Sequence, residues 1–134
     1  MGQHIENKKD KLYEQFRSTQ ERYNAEYDKY LDEKRNFEEM MTETDDLYHS
    51  ARQQIQDMED YTVACLRRST EGAQLIHEFY DKVFQVQDNL EIEYRREREG
   101  VEEECLLLDK RFRKKSDKYD EDLAHIRRDI YGEK

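Results

Sequence analysis

The sequence predicts an all-α fold, a long antiparallel two-helix hairpin of the coiled-coil type. The chain contains no proline in 134 residues, and at an average usage of about 5% that absence has a chance of roughly one in a thousand. Because proline removes a backbone donor and clashes with the preceding turn, its exclusion favours uninterrupted helix. A seven-residue apolar repeat runs through most of the sequence, and a cluster of turn residues falls at its middle.

The first helix is expected over about residues 8–67. Alternating steps of four and three residues from Phe16 meet mostly apolar or aromatic side chains, as at the a and d positions of a heptad. These positions are Phe16, Gln20, Tyr23, Tyr27, Tyr30, Lys34, Phe37, Met41, Thr44, Tyr48, Ala51, Ile55, Met58, Thr62 and Cys65. Residues 42–46 are poor helix formers, so a further break there, giving three helices, stays open as an alternative.

The turn is expected at about residues 68–72. Arg67 suits the last turn of a helix, and Ser69 or Thr70 can cap the helix that follows; Gly72 closes this segment. Two segments of nearly equal length on either side of a short turn favour an antiparallel hairpin. Residues 1–134 are therefore expected to form a single helical hairpin domain.

The second helix is expected over about residues 73–131, with a less regular apolar repeat. Its inward positions are Ile76, Phe79, Val83, Val86, Leu90, Tyr94, Val101, Cys105, Leu108, Phe112, Tyr119, Leu123, Ile126 and Ile130. Gly100 lies inside this helix, where glycine costs about 1 kcal/mol relative to alanine, and marks an expected soft point. Cys65 and Cys105 are both placed inward but far apart along the hairpin, so two free thiols are expected, in keeping with a reducing compartment.

Composition excludes several classes of function. The net charge is −10, so no nucleic-acid partner is expected, and the basic segment 110–118 is interpreted as a solvated face because acidic residues surround it. No apolar run approaches the roughly 18 residues that a membrane span needs. The N-terminus has no apolar segment of the signal-peptide type, so a cytoplasmic location is expected, with export without a cleaved signal left open.

No arrangement of residues in the sequence indicates catalysis. The chain has no glycine-rich phosphate loop, and nothing resembles a nucleophile, base and orienting group on a rigid scaffold. Two pairs of an aspartate and a histidine three residues apart have a spacing that metal sites use, namely Asp46 with His49 and Asp122 with His125. So acidic a sequence produces such pairs by accident. We therefore expect no enzyme activity, no cofactor and no metal site.

Apolar residues beyond those that a hairpin needs gather beside the turn. Two in seven positions are enough for one buried stripe, and an exposed apolar surplus usually marks an interaction surface. The residues assigned to partner binding are Leu47, Tyr61, Val63, Leu66, Leu75, Tyr80, Phe84 and Ile92. We expect this half of the hairpin to bind other helices; the alternative is that these residues widen the hairpin's own core.

The charged second helix resembles a known group of proteins. The stretch 91–115, from Glu91 through Cys105 to Lys115, and the hairpin architecture are similar to the small helical partner proteins of LXG toxins in Gram-positive type VII secretion. The resemblance implies an adaptor or targeting chaperone that binds the helical N-terminal domain of a toxin, alone or with a second small helical protein. The Trp-x-Gly turn of the related WXG-type proteins is replaced here by Thr70-Glu-Gly72, and Phe84 to Asp88 matches a Phe-x-x-x-Asp export pattern only in mid-helix.

Two other interpretations stay open. The hairpin also resembles the stalk proteins of flagellar and type III export ATPases, and a generic coiled-coil scaffold would have the same sequence pattern. Whichever interpretation holds, a homodimer of this chain stays open when no partner is present. A stalk should be stable without a partner, whereas a toxin partner should need its client to cover the apolar surplus beside the turn.

Overall fold

Two helices make up almost the whole chain in a computed structural model, which describes the backbone of residues 2–132 and the side chains of residues 7–132. Helix α1 spans Gly2–Leu66 and helix α2 spans Gly72–Tyr131. They pack as an antiparallel hairpin, with no strand among the described residues, so the predicted fold class is confirmed. The three-helix alternative is wrong, because α1 continues unbroken through residues 42–46. Helix α2 likewise continues through Gly100.

The turn occupies residues 67–71, one residue earlier than expected. The amide of Ser69 donates to the carbonyl of Leu66 at 3.0 Å, and the amide of Gly72 donates to the carbonyl of Ser69 at 3.2 Å. The Ser69 hydroxyl accepts from the amide of Glu71 at 3.4 Å. Because Glu71 precedes the first residue of α2, this bond stabilises the turn and is not the helix cap that was predicted for Ser69. Thr70 lies exposed in the turn, and Gly72 is the first residue of α2 rather than the last of the turn.

Gly72 is the residue that the tightness of this turn requires. It is buried, and a Cβ atom built on its backbone would lie 2.0 Å from the carbonyl oxygen of Leu66 and 3.1 Å from the carbonyl carbon. Because these are backbone atoms, they could move away from a Cβ atom only if the turn itself opened. Glycine is the residue that permits so close an approach of two backbone segments.

The described chain divides into two compact units, each built from part of both helices. The turn unit is Phe37–Glu103, and the terminal unit is the described part of Met1–Asn36 together with that of Glu104–Lys134. In the terminal unit the Tyr30 hydroxyl donates to Asp109, and in the turn unit the Tyr94 hydroxyl donates to Asp45. The two residue numbers sum to 139 in both pairs, so each unit has the register that a turn centred between residues 69 and 70 imposes.

The core of each unit is thin. The buried apolar side chains are Val63 and Val101 in the turn unit, and Leu108 and Ile130 in the terminal unit. No described side chain is fully enclosed, because a helix paired with one other helix buries only a single stripe of its surface.

The buried stripe of α1 departs from the predicted heptad phase towards both ends. In the terminal unit, Thr19 is buried and Glu26 half-buried, whereas Gln20 and Tyr27, which were predicted inward, are exposed. In the turn unit Met58, also predicted inward, is 62% exposed.

The geometry of a straight helix explains this drift. A heptad corresponds to 3.5 residues per turn and an undistorted helix to 3.6, so a strict heptad rotates by about 20° per repeat. The observed inward positions instead recur every eleven residues, at Phe37, Tyr48 and Glu59 and again at Thr44, Ile55 and Leu66. The predicted and observed stripes therefore agree in the middle of α1 and differ by one residue near its ends.

Candidate partner-binding surface

Six of the eight residues assigned to partner binding are exposed in the turn unit. Leu47, Tyr61 and Phe84 leave 71%, 74% and 70% of their surface open. The other three exposed residues are Leu75, Tyr80 and Ile92. Groups of exposed large apolar side chains are typical of interaction surfaces.

Val63 and Leu66 do not belong to this exposed set. Val63 is only 6% exposed and Leu66 is half-buried, so the placement of Val63 on an open surface is wrong. The same drift in helical phase is the cause, because it brings these two residues inward and leaves Cys65 exposed. Cys105 is half-buried, and both thiols are free, as predicted.

A second apolar stripe runs along α1 in the turn unit, beside the buried one. Met40, Leu47 and Met58 are exposed and lie seven and eleven residues apart, and both intervals return a helix to nearly the same face. Tyr61 follows Met58 by three residues, and Cys65 follows it by seven. We call Met40, Leu47, Met58, Tyr61 and Cys65 the α1 stripe.

Helix α2 exposes its apolar residues on more than one face. Tyr80 and Phe84 are four residues apart and share one flank of the buried stripe, whereas Leu75 and Val86 are eleven apart and share the other. Ile92 lies on the side opposite the buried stripe. The residues predicted as one surface are therefore divided among several faces, of which the α1 stripe is the longest continuous one.

Met40, Met58 and Val86 belong to these exposed faces but were not assigned to partner binding. Met58 and Val86 occupied predicted inward positions, and Met40 was assigned no role. The seven- and eleven-residue spacings from Leu47 were visible in the sequence and could have identified Met40 and Met58.

A polar cluster connects the two helices in the terminal unit. The Tyr30 hydroxyl donates to Asp109, and Lys34 lies 3.5 Å from the same carboxylate and 3.3 Å from the Tyr30 hydroxyl. The Tyr30 ring stacks on Phe112 with centroids 4.2 Å apart. The hydrogen bond from Tyr30 lowers the pKa of Asp109, and the same bond raises the pKa of Tyr30 because it favours the neutral phenol.

A matching cluster connects the helices in the turn unit. The Tyr94 hydroxyl donates to Asp45, and Arg98 Nη1 lies 3.2 Å from that carboxylate and 2.8 Å from the hydroxyl. The Tyr94 ring stacks on Tyr48 with centroids 4.0 Å apart. The hydrogen bond to Asp45 raises the pKa of Tyr94.

The two clusters are equivalent in sequence as well as in geometry. Each residue of α1 in one cluster corresponds to a residue of α2 in the other, always 64 positions later: Tyr30 and Tyr94, Lys34 and Arg98, Asp45 and Asp109, Tyr48 and Phe112. The roles of the two helices are exchanged between the clusters. Half-buried polar groups of this kind specify how two helices align, so we interpret the clusters as register-fixing contacts rather than as sites for a ligand.

Comparison with protein-family models, with curated proteins and with solved structures gives no match to this chain. Among the described residues, neither helix contains an apolar segment long enough to cross a membrane. The same residues include no group of three histidine, cysteine or acidic side chains placed to hold a metal ion.

Proposed function

We propose that this protein is a non-enzymatic helical adaptor, a targeting chaperone that binds a helical domain of a secreted toxin for type VII export. The observation that carries the proposal is the open apolar surface of the turn unit, where Leu47, Tyr61 and Phe84 are each at least 70% exposed. Burial of such side chains contributes about 25 cal/mol per Å² of apolar area. A partner that covers them would therefore gain substantial free energy.

A helical partner fits this surface better than a loop or a small molecule. The exposed residues recur at intervals of four, seven and eleven, and these are the intervals at which one helix meets another laid along it. One or two further helices on the turn unit would complete a bundle of three or four, which is a common way for helical pairs to bury a second stripe.

The export context comes from the resemblance of residues 91–115 and of the hairpin to the small partners of LXG toxins. It implies a toxin N-terminal domain as the client, with a second small helical protein as a further component. A stalk-like component of an export ATPase, or a generic scaffold, would be expected to function as a free hairpin. The open apolar faces of the turn unit favour the adaptor over both.

Co-expression with neighbouring open reading frames, followed by purification through a tag on this chain, tests the proposal. We expect a helical toxin domain in a stoichiometric complex, and we expect Phe84→Asp to weaken its recovery. Leu106→Asp is a matched control, because Leu106 is similarly exposed, at 62%, but lies in the terminal unit. Recovery of an ATPase, or of an isolated monomer from every co-expression, would contradict the proposal.

A further inference from the structure

The α1 stripe has the length and spacing of a docking surface for one helix. Met40 and Tyr61 are 21 residues apart, which is about 31 Å at about 1.5 Å per residue. Leu47 and Met58, which lie between them, are 71% and 62% exposed. The stripe continues to Cys65, 25 residues after Met40, so a straight helix of about 25 residues would contact the whole stripe.

A row of carboxylates borders this stripe. Glu39, Glu43, Asp46 and Asp57 follow one another at intervals of four, three and eleven residues, so they share one face of α1. Three of them directly precede a stripe residue, namely Met40, Leu47 or Met58. All four are exposed, and none forms an ion pair with another described residue.

The acidic row lies on a part of α1 that is poor in cations. Residues 37–66 contain eight acidic residues and a single lysine or arginine, Arg52. The Arg52 guanidinium lies 5.7 Å from the centroid of the Tyr48 ring, which is part of the buried stripe. The surface beside Leu47 is therefore both apolar and negative.

We propose that the α1 stripe binds an amphipathic helix of another protein whose apolar face is bordered by lysine or arginine. The apolar side chains would meet Leu47 and Met58, and the basic border would lie against Glu39, Glu43 and Asp46. Opposite charges at the edge of a helix–helix interface select the partner and its orientation. The inference deepens the proposed function, because it states the chemistry of the client helix, but it does not depend on the client being a toxin.

A second copy of this chain does not fit the α1 stripe. Its basic segment 110–118 has Leu106 and Leu107 as the neighbouring exposed apolar residues, and adjacent residues on a helix point about 100° apart. That segment therefore lacks an apolar row at intervals of seven and eleven. Pairing α1 with another α1 would place carboxylates against carboxylates, which is unfavourable. An anionic membrane surface would likewise repel this face.

A binding assay with designed peptides tests the proposal on the full-length protein. One peptide is an amphipathic helix of about 28 residues, long enough to extend from Met40 to Cys65. It has leucines at the seven- and eleven-residue spacing of the stripe and lysines at the border. The matched peptide has glutamate in place of every lysine. Fluorescence anisotropy at low and high salt measures both affinities, since salt screens exposed charges.

We expect the lysine peptide alone to bind, and its affinity to fall as salt is raised. Leu47→Asp should weaken binding about tenfold or more, as for a central interface residue, whereas Leu106→Asp should leave it unchanged. The triple change Glu39→Lys, Glu43→Lys and Asp46→Lys should reverse the preference between the two peptides. All these positions are exposed, and unchanged far-UV circular dichroism would verify that each variant keeps its fold.

Equal binding of the two peptides would overturn the proposal, as would equal effects of Leu47→Asp and Leu106→Asp. Self-association of the chain that the lysine peptide does not disrupt, detected by light scattering, would also overturn it. This inference and the proposed function fail separately. If a toxin domain is recovered and its binding is unaffected by the changes at Leu47 and Glu43, only the basic-helix inference is refuted. If the lysine peptide binds but no toxin domain is recovered, only the toxin assignment is refuted.

Discussion

Alanine in place of Gly72 should destabilise the protein, whereas alanine in place of Gly100 should stabilise it. At Gly72 the added methyl group would lie 2.0 Å from the carbonyl oxygen of Leu66, which is a backbone atom and cannot rotate away as a side chain could. At Gly100 the same methyl group meets nothing within 4 Å. The two substitutions are chemically identical, so the difference between them isolates the geometry of the turn.

The expected magnitudes follow from these contacts. Overpacking costs typically about 1–3 kcal/mol. At Gly72 the upper value applies, because the backbone of the turn would have to move and would strain the hydrogen bond from the Gly72 amide to the Ser69 carbonyl. Alanine at Gly100 should stabilise the helix by about 1 kcal/mol, because glycine loses more backbone entropy. At about 4 °C per kcal/mol for a chain of this size, Gly72→Ala should lower Tm by about 12 °C and Gly100→Ala should raise it by about 4 °C.

Thermal and urea unfolding followed by far-UV circular dichroism would measure both changes. Light scattering at the same protein concentration would show whether the Gly72 variant exchanges helices between chains instead of folding back on itself. A Gly72→Ala protein that is monomeric and as stable as the parent would refute the tight-turn geometry. So would a fall in stability at Gly100 as large as that at Gly72.

Three further predictions concern the polar clusters and the thiols. The pKa of Asp109 is lowered, chiefly by the hydrogen bond from Tyr30, so the ionised carboxylate stabilises the fold above its unfolded pKa of about 3.9, and this stability is lost as pH falls through the folded pKa. Asp109→Asn should therefore make the free energy of unfolding, measured in urea, fall less steeply with decreasing pH. An unchanged dependence on acid pH would contradict this. The pKa of Tyr30 is raised, chiefly by its hydrogen bond to Asp109, so the free energy of unfolding should decline as pH rises above about 10. Tyr30→Phe should reduce that decline, and at neutral pH it should lower the free energy of unfolding by about 1–2 kcal/mol. In the protein without a partner, a maleimide should label exposed Cys65 faster than half-buried Cys105, and the reverse order would contradict the helical phase beside the turn.

The fold was predictable from the sequence because its determinants are local. The lack of proline and the continuous apolar period require long helices, and the segment with Ser69 and Gly72 supplied the break between them. The predicted turn differs from the observed one by a single residue. The alternative break at residues 42–46 did not occur, because weak helix propensity at a few positions is overcome by the packing of the helix on either side.

The phase of the buried stripe could not be read from apolar spacing alone. Tyr27 and Met58 fit the heptad, but the helix turns closer to every 3.6 residues than every 3.5. Small or polar residues such as Thr19 and Glu59 therefore take inward positions near the ends of the stripe. Because Val63 is buried and Met58 is exposed, the candidate partner surface loses Val63 and gains Met58 relative to the prediction.

The two polar clusters illustrate a signal that was present but not used. Tyr30 and Asp109 are far apart in sequence, and their pairing is visible only once the register of the hairpin is known. The 64-residue correspondence with Tyr94 and Asp45 is nevertheless a property of the sequence. A comparison of residues at a fixed offset would have indicated both the register and the equivalence of the clusters.

Whether a helical partner covers the α1 stripe is tested most directly by the reactivity of Cys65. This exposed thiol lies on the stripe seven residues after Met58, and Cys105 in the terminal unit is a control within the same molecule. The measurement is the rate of maleimide labelling at each cysteine, in the protein alone and in saturated complex with the lysine peptide or a recovered client. We predict that binding slows labelling of Cys65 in proportion to the fraction bound and leaves Cys105 unchanged. Labelling of Cys65 at its unbound rate in a saturated complex would contradict binding at this surface.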